Sequence, residues 1–391
     1  GFKVYRSDGT GLPYKIVAVL GPNTQAYRDT GLSPDTEYYY MVRAYNNAGD
    51  STFFVWANAT TLTNTHIPVC ISGTGLTSIQ DAIDIAADGD VIVVCDGTYM
   101  EQIDFSGKAI TIQSENGRDM TTIDGDAQGV VVSFTSGEKG TSVLKGFTIT
   151  NGSTQTGGGI DCNSFIFTSP VISQCRIENN ITSARGGIYL KFAGPAIEDT
   201  IIDSNEGYSG IYGEYGSAPI ITDCVISNNI SPNNSGGGLR LDNSNGYMSN
   251  LQTRISDTTF LSNEGYWGGG AYLRNANAVF EGCDFVSNTA DVGGGLNTIG
   301  GTQTFINGTF TSNNAGQGGA IYANSQLTLQ NCTISGNESD TNGGGMVTSR
   351  DTFIYNCVVS GNSATGAPGA PGSGGGIHAG NSTTVIHNST I

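Results

Sequence analysis

Apolar and polar residues alternate in short bursts along most of this chain. Leu327-Thr328-Leu329 and Cys332-Thr333-Ile334 show the two-residue period of a strand, not that of a helix. The bursts also recur. Phe260-Leu261-Ser262-Asn263, Phe285-Val286-Ser287-Asn288, Phe310-Thr311-Ser312-Asn313, Ile334-Ser335-Gly336-Asn337 and Val359-Ser360-Gly361-Asn362 place asparagines in steps of 25, 25, 24 and 25 residues. After the asparagines come glycine runs closed by an apolar residue: Gly293-Gly294-Gly295-Leu296, Gly318-Gly319-Ala320-Ile321, Gly343-Gly344-Gly345-Met346 and Gly374-Gly375-Gly376-Ile377. A fixed period of this size marks a solenoid, whose unit cannot bury its apolar face alone. No unit has room for a helix, and Gly and Asn tolerate the positive φ of tight corners. The pattern predicts a parallel β-helix of roughly a dozen laps, each about 4.8 Å above the last. Asn180, Asn205 and Asn229 extend the phase backwards, and the longer step to Asn263 implies an inserted loop near 243–255. The corner asparagines are expected to stack as a ladder, each amide bonded to the next lap.

Outside the repeats the pattern changes. Residues 1–62 alternate as antiparallel strands, in Phe2-Lys3-Val4-Tyr5, Tyr14-Lys15-Ile16-Val17-Ala18-Val19 and the tyrosine-rich phrase 38–46. Residues 63–77 read as a linker with a short strand at Val69-Cys70-Ile71. Ile79, Ala82, Ile83 and Ala86 then fall at helical spacing, with Ser78 or Thr77 to start a helix and Gly89 to end it. That helix is expected to cover the first lap, since an apolar lap end would otherwise face water. The solenoid is expected over 78–391, and its last lap to present an open edge.

Composition narrows the reading. Fifty-eight glycines would suggest disorder if aperiodic, but here they sit at corners. A net charge of −18, with only 16 Lys plus Arg, argues against nucleic acid and against a polyanionic substrate unless a cation such as calcium bridges the two. No apolar run is long enough to span a membrane. Of eight cysteines, Cys175, Cys224, Cys283, Cys332 and Cys357 share one repeat position, which Thr200 and Thr258 fill in other laps. A site that accepts Cys or Thr is a small inward position, so stacked free thiols are expected there. Cys70 and Cys95 flank the start of the solenoid and form the disulfide candidate, in an extracellular setting. No Cys or His spacing suits a metal, and His66, His378 and His387 are isolated. No cofactor is called for. Calcium on the acidic surface stays open, without a glycine–aspartate nonapeptide in support.

The phrase from Leu32-Ser33-Pro34-Asp35-Thr36-Glu37-Tyr38 through Tyr45-Asn46 to Gly49 resembles a fibronectin type III domain, tyrosine-corner position included, with its first two strands expected before Gly1. The helix at 78–89 with Val91-Ile92-Val93-Val94, Gly97-Thr98-Tyr99 and 103–112 resembles the start of right-handed parallel β-helix proteins of the pectin-lyase-like kind. From 151 onward the glycine runs and phenylalanine–asparagine phrases resemble polymorphic outer-membrane-protein repeats of bacterial surface proteins. These resemblances imply fold more than activity, because the fold carries lyases, hydrolases and adhesins alike.

Candidate chemistry comes from the strand after each glycine run. If Ile188, Ile211, Leu239, Ala271, Leu296, Ile321, Met346 and Ile377 face in, the next residues face out: Tyr189, Tyr212, Arg240, Tyr272, Asn297, Tyr322, Val347 and His378. Two further along stand Lys191, Glu214, Asp242 and Arg274, then Ile299, Asn324, Ser349 and Gly380. Tyr208 and the pair Tyr266-Trp267 lie at adjacent corners. One reading is favourable pairing on an exposed sheet, Lys191 with Glu214 and Asp242 with Arg274, worth roughly 0.2–1 kcal/mol each. The other is a glycan face, with rings on sugar faces and charged groups on hydroxyls. Catalysis would fall to Glu214 and Asp242 with Arg240, as a carboxyl pair for glycoside hydrolysis or a lyase. Their cationic neighbours would keep both ionised, whereas one should donate a proton. The Asp-Asp and Gly-His-Gly phrases of polygalacturonases are missing. Asn-x-Ser/Thr phrases at Asn151, Asn180, Asn229, Asn307 and Asn331 fit chance in so Asn- and Ser-rich a chain. The expectation is a secreted or cell-surface bacterial adhesin or spacer, meeting glycan or a host or neighbour-cell protein. The alternatives are a polysaccharide lyase or hydrolase, and a subunit that assembles end to end.

Overall fold

The computed structural model describes the chain except residues 9–12, 25, 28, 30–31, 34, 62–65, 73–74, 154–157, 184, 245–250, 367–371 and 381–382. Pro34, residues 245–250 of the inserted loop expected at 243–255 and parts of the expected linker lie outside the described residues. The chain forms two compact units, Gly1–His66 with Gly89–Val91, and Ile67–Asp88 with Ile92–Ile391.

The first unit is a four-stranded antiparallel sheet. Phe2–Asp8 pairs with Lys15–Leu20 on one side and Glu37–Asn46 on the other, and Gly49–Thr60 forms an edge. Val4 and Tyr38 are its buried apolar residues, and the Tyr38 hydroxyl accepts a 2.8 Å hydrogen bond from the Ser33 amide.

The second unit is a parallel β-solenoid of about 11 laps, one strand per lap along its most regular face, from Gly97–Met100 to Val358–Ser360. A typical lap runs Ala271–Arg274 on face A, Asn277–Glu281 on face B and Asp284–Val286 on face C. Thr289–Val292 then forms a short fourth strip, before Gly293 to Gly295 lead to the next lap at Leu296. Pairing is parallel and in register: Ala271 pairs Leu296, Leu296 pairs Ile321, and Ile321 pairs Met346. All four are fully buried.

Three inward columns fill the interior, one from each face. In the middle laps the column of face A is aliphatic and those of faces B and C are aromatic: Phe260, Phe285 and Phe310 stack at centroid distances of 4.5 and 4.7 Å, and Phe280 lies 4.3 Å from Phe305. The asparagines form a continuous buried ladder. Each Nδ2 from Asn180 to Asn337 donates to the next lap's Oδ1, through 205, 229, 263, 288 and 313 to 362, at 2.8–3.0 Å. The same Oδ1 accepts the preceding asparagine's backbone amide, as from Asn263 to Asn288 at 3.0 Å. Close approach explains the glycines. Gly293 has φ +71, and a Cβ on Gly294 would stand 2.3 Å from the Gly319 carbonyl oxygen of the next lap.

Helix α1 spans Ile79–Ile85 and buries Ile79, Ala82 and Ile83 in the solenoid core. Ser78 caps it, and the Glu101 carboxylate receives the amides of Ile79 and Gln80. It ends before Gly89, the stop expected from sequence. Ala86 is already extended, and the Lys108 ammonium, arriving from the next lap, holds the carbonyls of Ile83, Asp84 and Ala86. Cys70 and Cys95 are joined in a disulfide, Cα atoms 4.9 Å apart. The five repeat cysteines and Cys162 are buried free thiols, and burial pushes Cys175 up to about 11 and Cys224 and Cys283 up to about 12.

Asn288→Ala leaves the Asn263 amides and the Phe260 carbonyl without their buried partner, so its laps should lose roughly 3 kcal/mol or more of local stability. Amide hydrogen exchange reads this directly. Exposed Gln330→Ala should stay within about 0.5 kcal/mol.

Candidate functional site

The strand after each glycine run on face A carries the candidate residues. Tyr189, Tyr212, Arg240, Tyr272, Asn297, Tyr322, Val347 and His378 are register partners in successive laps, so they form one column. The column is not the exposed platform expected from strand alternation. Tyr189, Tyr212, Tyr272, Asn297 and Val347 are all buried. The cause is the turn ahead of each glycine run, which folds back over the outward row. The Arg185 guanidinium lies 3.9 Å from the Tyr189 ring centre, Trp267 packs on Tyr272 at 5.9 Å, and Asn297 Nδ2 donates to the Val292 carbonyl. Alternation gave the direction of each side chain correctly but could not show that another part of the same lap lies on top.

Among the aromatics, Tyr266 and Trp267 keep a large exposed area, and Tyr208 is half-buried. Tyr208 and Tyr212 meet edge to face at 5.9 Å, and the Arg240 guanidinium faces both rings, at 5.6 and 4.8 Å, with Tyr272 at 6.0 Å.

The carboxylates are engaged within the protein. Glu214 accepts the Tyr189 hydroxyl on one oxygen and the Tyr212 hydroxyl, at 2.9 Å, on the other. Burial and this carboxylate push both tyrosine hydroxyls up, against the opposing charge of Arg185 at Tyr189 and Arg240 at Tyr212. Asp242 meets Arg240 at 3.4 Å and Arg274 at 3.7 Å, and accepts the Ser244 hydroxyl at 2.6 Å. Arg274 is thus beside Asp242, the neighbour its column position gave it. Lys191 is aligned with Glu214, but its ammonium lies 5.1 Å from the Tyr215 ring centre. Glu214 and Asp242 stand on adjacent laps, each committed to its own set of partners.

One residue of this column escaped sequence reasoning. Asp161 pairs in register with Tyr189, one lap earlier. It is only 7% exposed, and its Oδ1 has no hydrogen-bond partner. Loss of solvation pushes its carboxyl up to about 7, with Arg185 and Lys191 opposing. The signal was legible: Gly158-Gly159-Ile160 is a glycine run closed by an apolar residue, in phase with Gly186-Gly187-Ile188. Among the described residues, no three His, Cys, Asp or Glu side chains gather as a metal site, and no helix is long and apolar enough to cross a membrane.

Fold and site together define an all-β parallel solenoid with an internally paired polar strip. The family model described as "Right handed beta helix region" matches residues 237–391. No curated protein matches the chain significantly. Among solved structures, a pectin methylesterase from carrot is 14% identical over 83% of this chain and 90% of its own, with a TM-score of 0.34. A family 28 exopolygalacturonase from Yersinia enterocolitica is 12% identical over 92% of this chain and 82% of its own, also at 0.34. Likeness of that degree carries no argument about activity.

The titration of Asp161 has a definite sign. Its folded value lies above the ordinary carboxylate value near 4, so the native state holds the proton more tightly than the unfolded chain. That contribution is complete below about pH 4 and is lost as pH rises to about 7. Asp161→Asn should therefore gain stability relative to the parent protein between pH 4.5 and 8, read as the difference in unfolding midpoint at each pH.

Proposed function

We propose that this protein is a non-catalytic structural element, a spacer or adhesive surface displayed outside the cell. One observation carries the reading. Both candidate carboxylates are consumed internally, Glu214 by two tyrosine hydroxyls and Asp242 by two arginines. A glycosidase needs one carboxyl free to protonate the leaving group and another facing the sugar. The Cys70–Cys95 disulfide supports an oxidising compartment. The phenylalanine–asparagine phrases support kinship with bacterial surface repeats of the polymorphic outer-membrane-protein type. For residues 1–62 we keep the fibronectin type III reading, supported by the strand order and by Tyr38 reaching back to the Ser33 amide. Helix α1 is read as the lid of the first lap, supported by its buried face.

A second reading is favoured by a single feature. Tyr266 and Trp267 remain exposed, their rings 5.4 Å apart, enough for a small carbohydrate contact.

The test is turnover on a polysaccharide panel, followed as reducing ends and as unsaturated products. The parent protein should release neither. Turnover that disappears in Asp242→Asn would refute the structural reading.

A further inference from the structure

We propose a second, unrelated binding site for a neutral linear oligosaccharide, in a groove at the corner between faces A and B. The groove has a volume of about 940 Å³, within the roughly 300–1,000 Å³ typical of ligand sites. Its floor is Ile299, Gly300 and Gly301 of one lap and Asn324, Ser325 and Gln326 of the next. Asn275 closes one end, and Ser349, Arg350 and Asp351 close the other.

The depression has a cause in the chain. In the laps on either side, the strand breaks at this corner, between Arg274 and Asn277 and between Thr348 and Thr352. In the two floor laps it does not: Leu296–Ile306 and Ile321–Gln330 run through from face A to face B. Gly300 and Gly301, at φ +69 and +73, let the first of these lie against the corner below, where a Cβ would meet Asn275 Oδ1 at 2.3 Å and the Ala276 carbonyl at 2.5 Å. A buried polar tie holds both floor laps inward. Ser325 bonds Thr298 at 2.7 Å and also Gln303, whose Nε2 donates to the Ala276 carbonyl at 2.8 Å. The tie is satisfied within itself, which fixes the floor; of the outward amides there, Gln326 lines the groove and Asn324 Oδ1 takes the Arg350 Nε–H at 3.4 Å.

Chemistry selects the ligand class. The lining offers the amides of Asn275, Asn324 and Gln326, the Ser349 hydroxyl, and Ile299 as an apolar patch for a ring face. Arg350 and Asp351 are opposite charges, and the chain as a whole is at −18, which disfavours a polyanion. The groove spans four laps, three steps of about 4.8 Å, or about 14 Å along the axis. A ring of a β-1,4-linked chain advances by about one lap, and rings presenting the same face recur about every two laps, so the chain stays in step with the solenoid. An extended peptide repeats every about 6.7 Å and falls out of step.

Calorimetric titration of the full chain with cellohexaose, xylohexaose and mannohexaose, and with hexagalacturonate as the anionic comparison, tests this. At least one neutral hexasaccharide should bind at one per chain. Gln326→Trp, which fills the groove from an exposed position, and Arg350→Ala should each weaken it tenfold or more at unchanged circular dichroism and melting temperature. Trp267→Ala should leave it unchanged. The proposal falls if no neutral probe binds at millimolar concentration, if hexagalacturonate binds more tightly, if both groove variants bind like the parent, or if Trp267→Ala abolishes binding. Binding is read apart from turnover, so this outcome and that of the structural reading are independent.

Discussion

Each lap of the solenoid must lie about 4.8 Å from the next along its whole length, and almost every sequence feature answers to that spacing. A side chain at the second glycine of a run would collide with the neighbouring backbone, so the position is bare. An asparagine at the corner fits because its amide carries both a donor and an acceptor along the axis, matching one lap to the next without a water. The interior is filled by residues that stack on copies of themselves, phenylalanine on phenylalanine and isoleucine on isoleucine. Identity between laps is what lets flat rings lie parallel at 4.3–4.7 Å.

That regularity made the fold readable. The asparagine steps located the laps, the glycine runs gave the strand phase, and the apolar residue after each run lies in the core wherever the lap has neighbours on both sides. The helix was also legible, but its end was not. Gly89 was the local stop signal, whereas the operative one is Lys108, about twenty residues on, which no local pattern announces.

The candidate site was legible in position and misjudged in environment. A period-two pattern reports on which side of a sheet a residue stands, and the column from Tyr189 to His378 stands on the predicted side. It cannot report that the turn before each glycine run lies over that side. Burial of Tyr189 and Tyr272 comes from Arg185 and Trp267, residues of the same laps, and Trp267 is turned back by the left-handed Gly268 that follows it. The groove at Gly300 and Gly301 was hidden for a related reason. It arises where a strand fails to break, and the sequence marks breaks more clearly than their omission.

In-register stacking has one more consequence. Because a lap touches chiefly the laps above and below it, copying one 25-residue segment would lengthen the molecule by a single fixed increment and leave every other contact as it was. The solenoid is in this sense a ruler with evenly spaced marks. Reach can be tuned by gene duplication in steps of about half a nanometre, without any redesign of the interior.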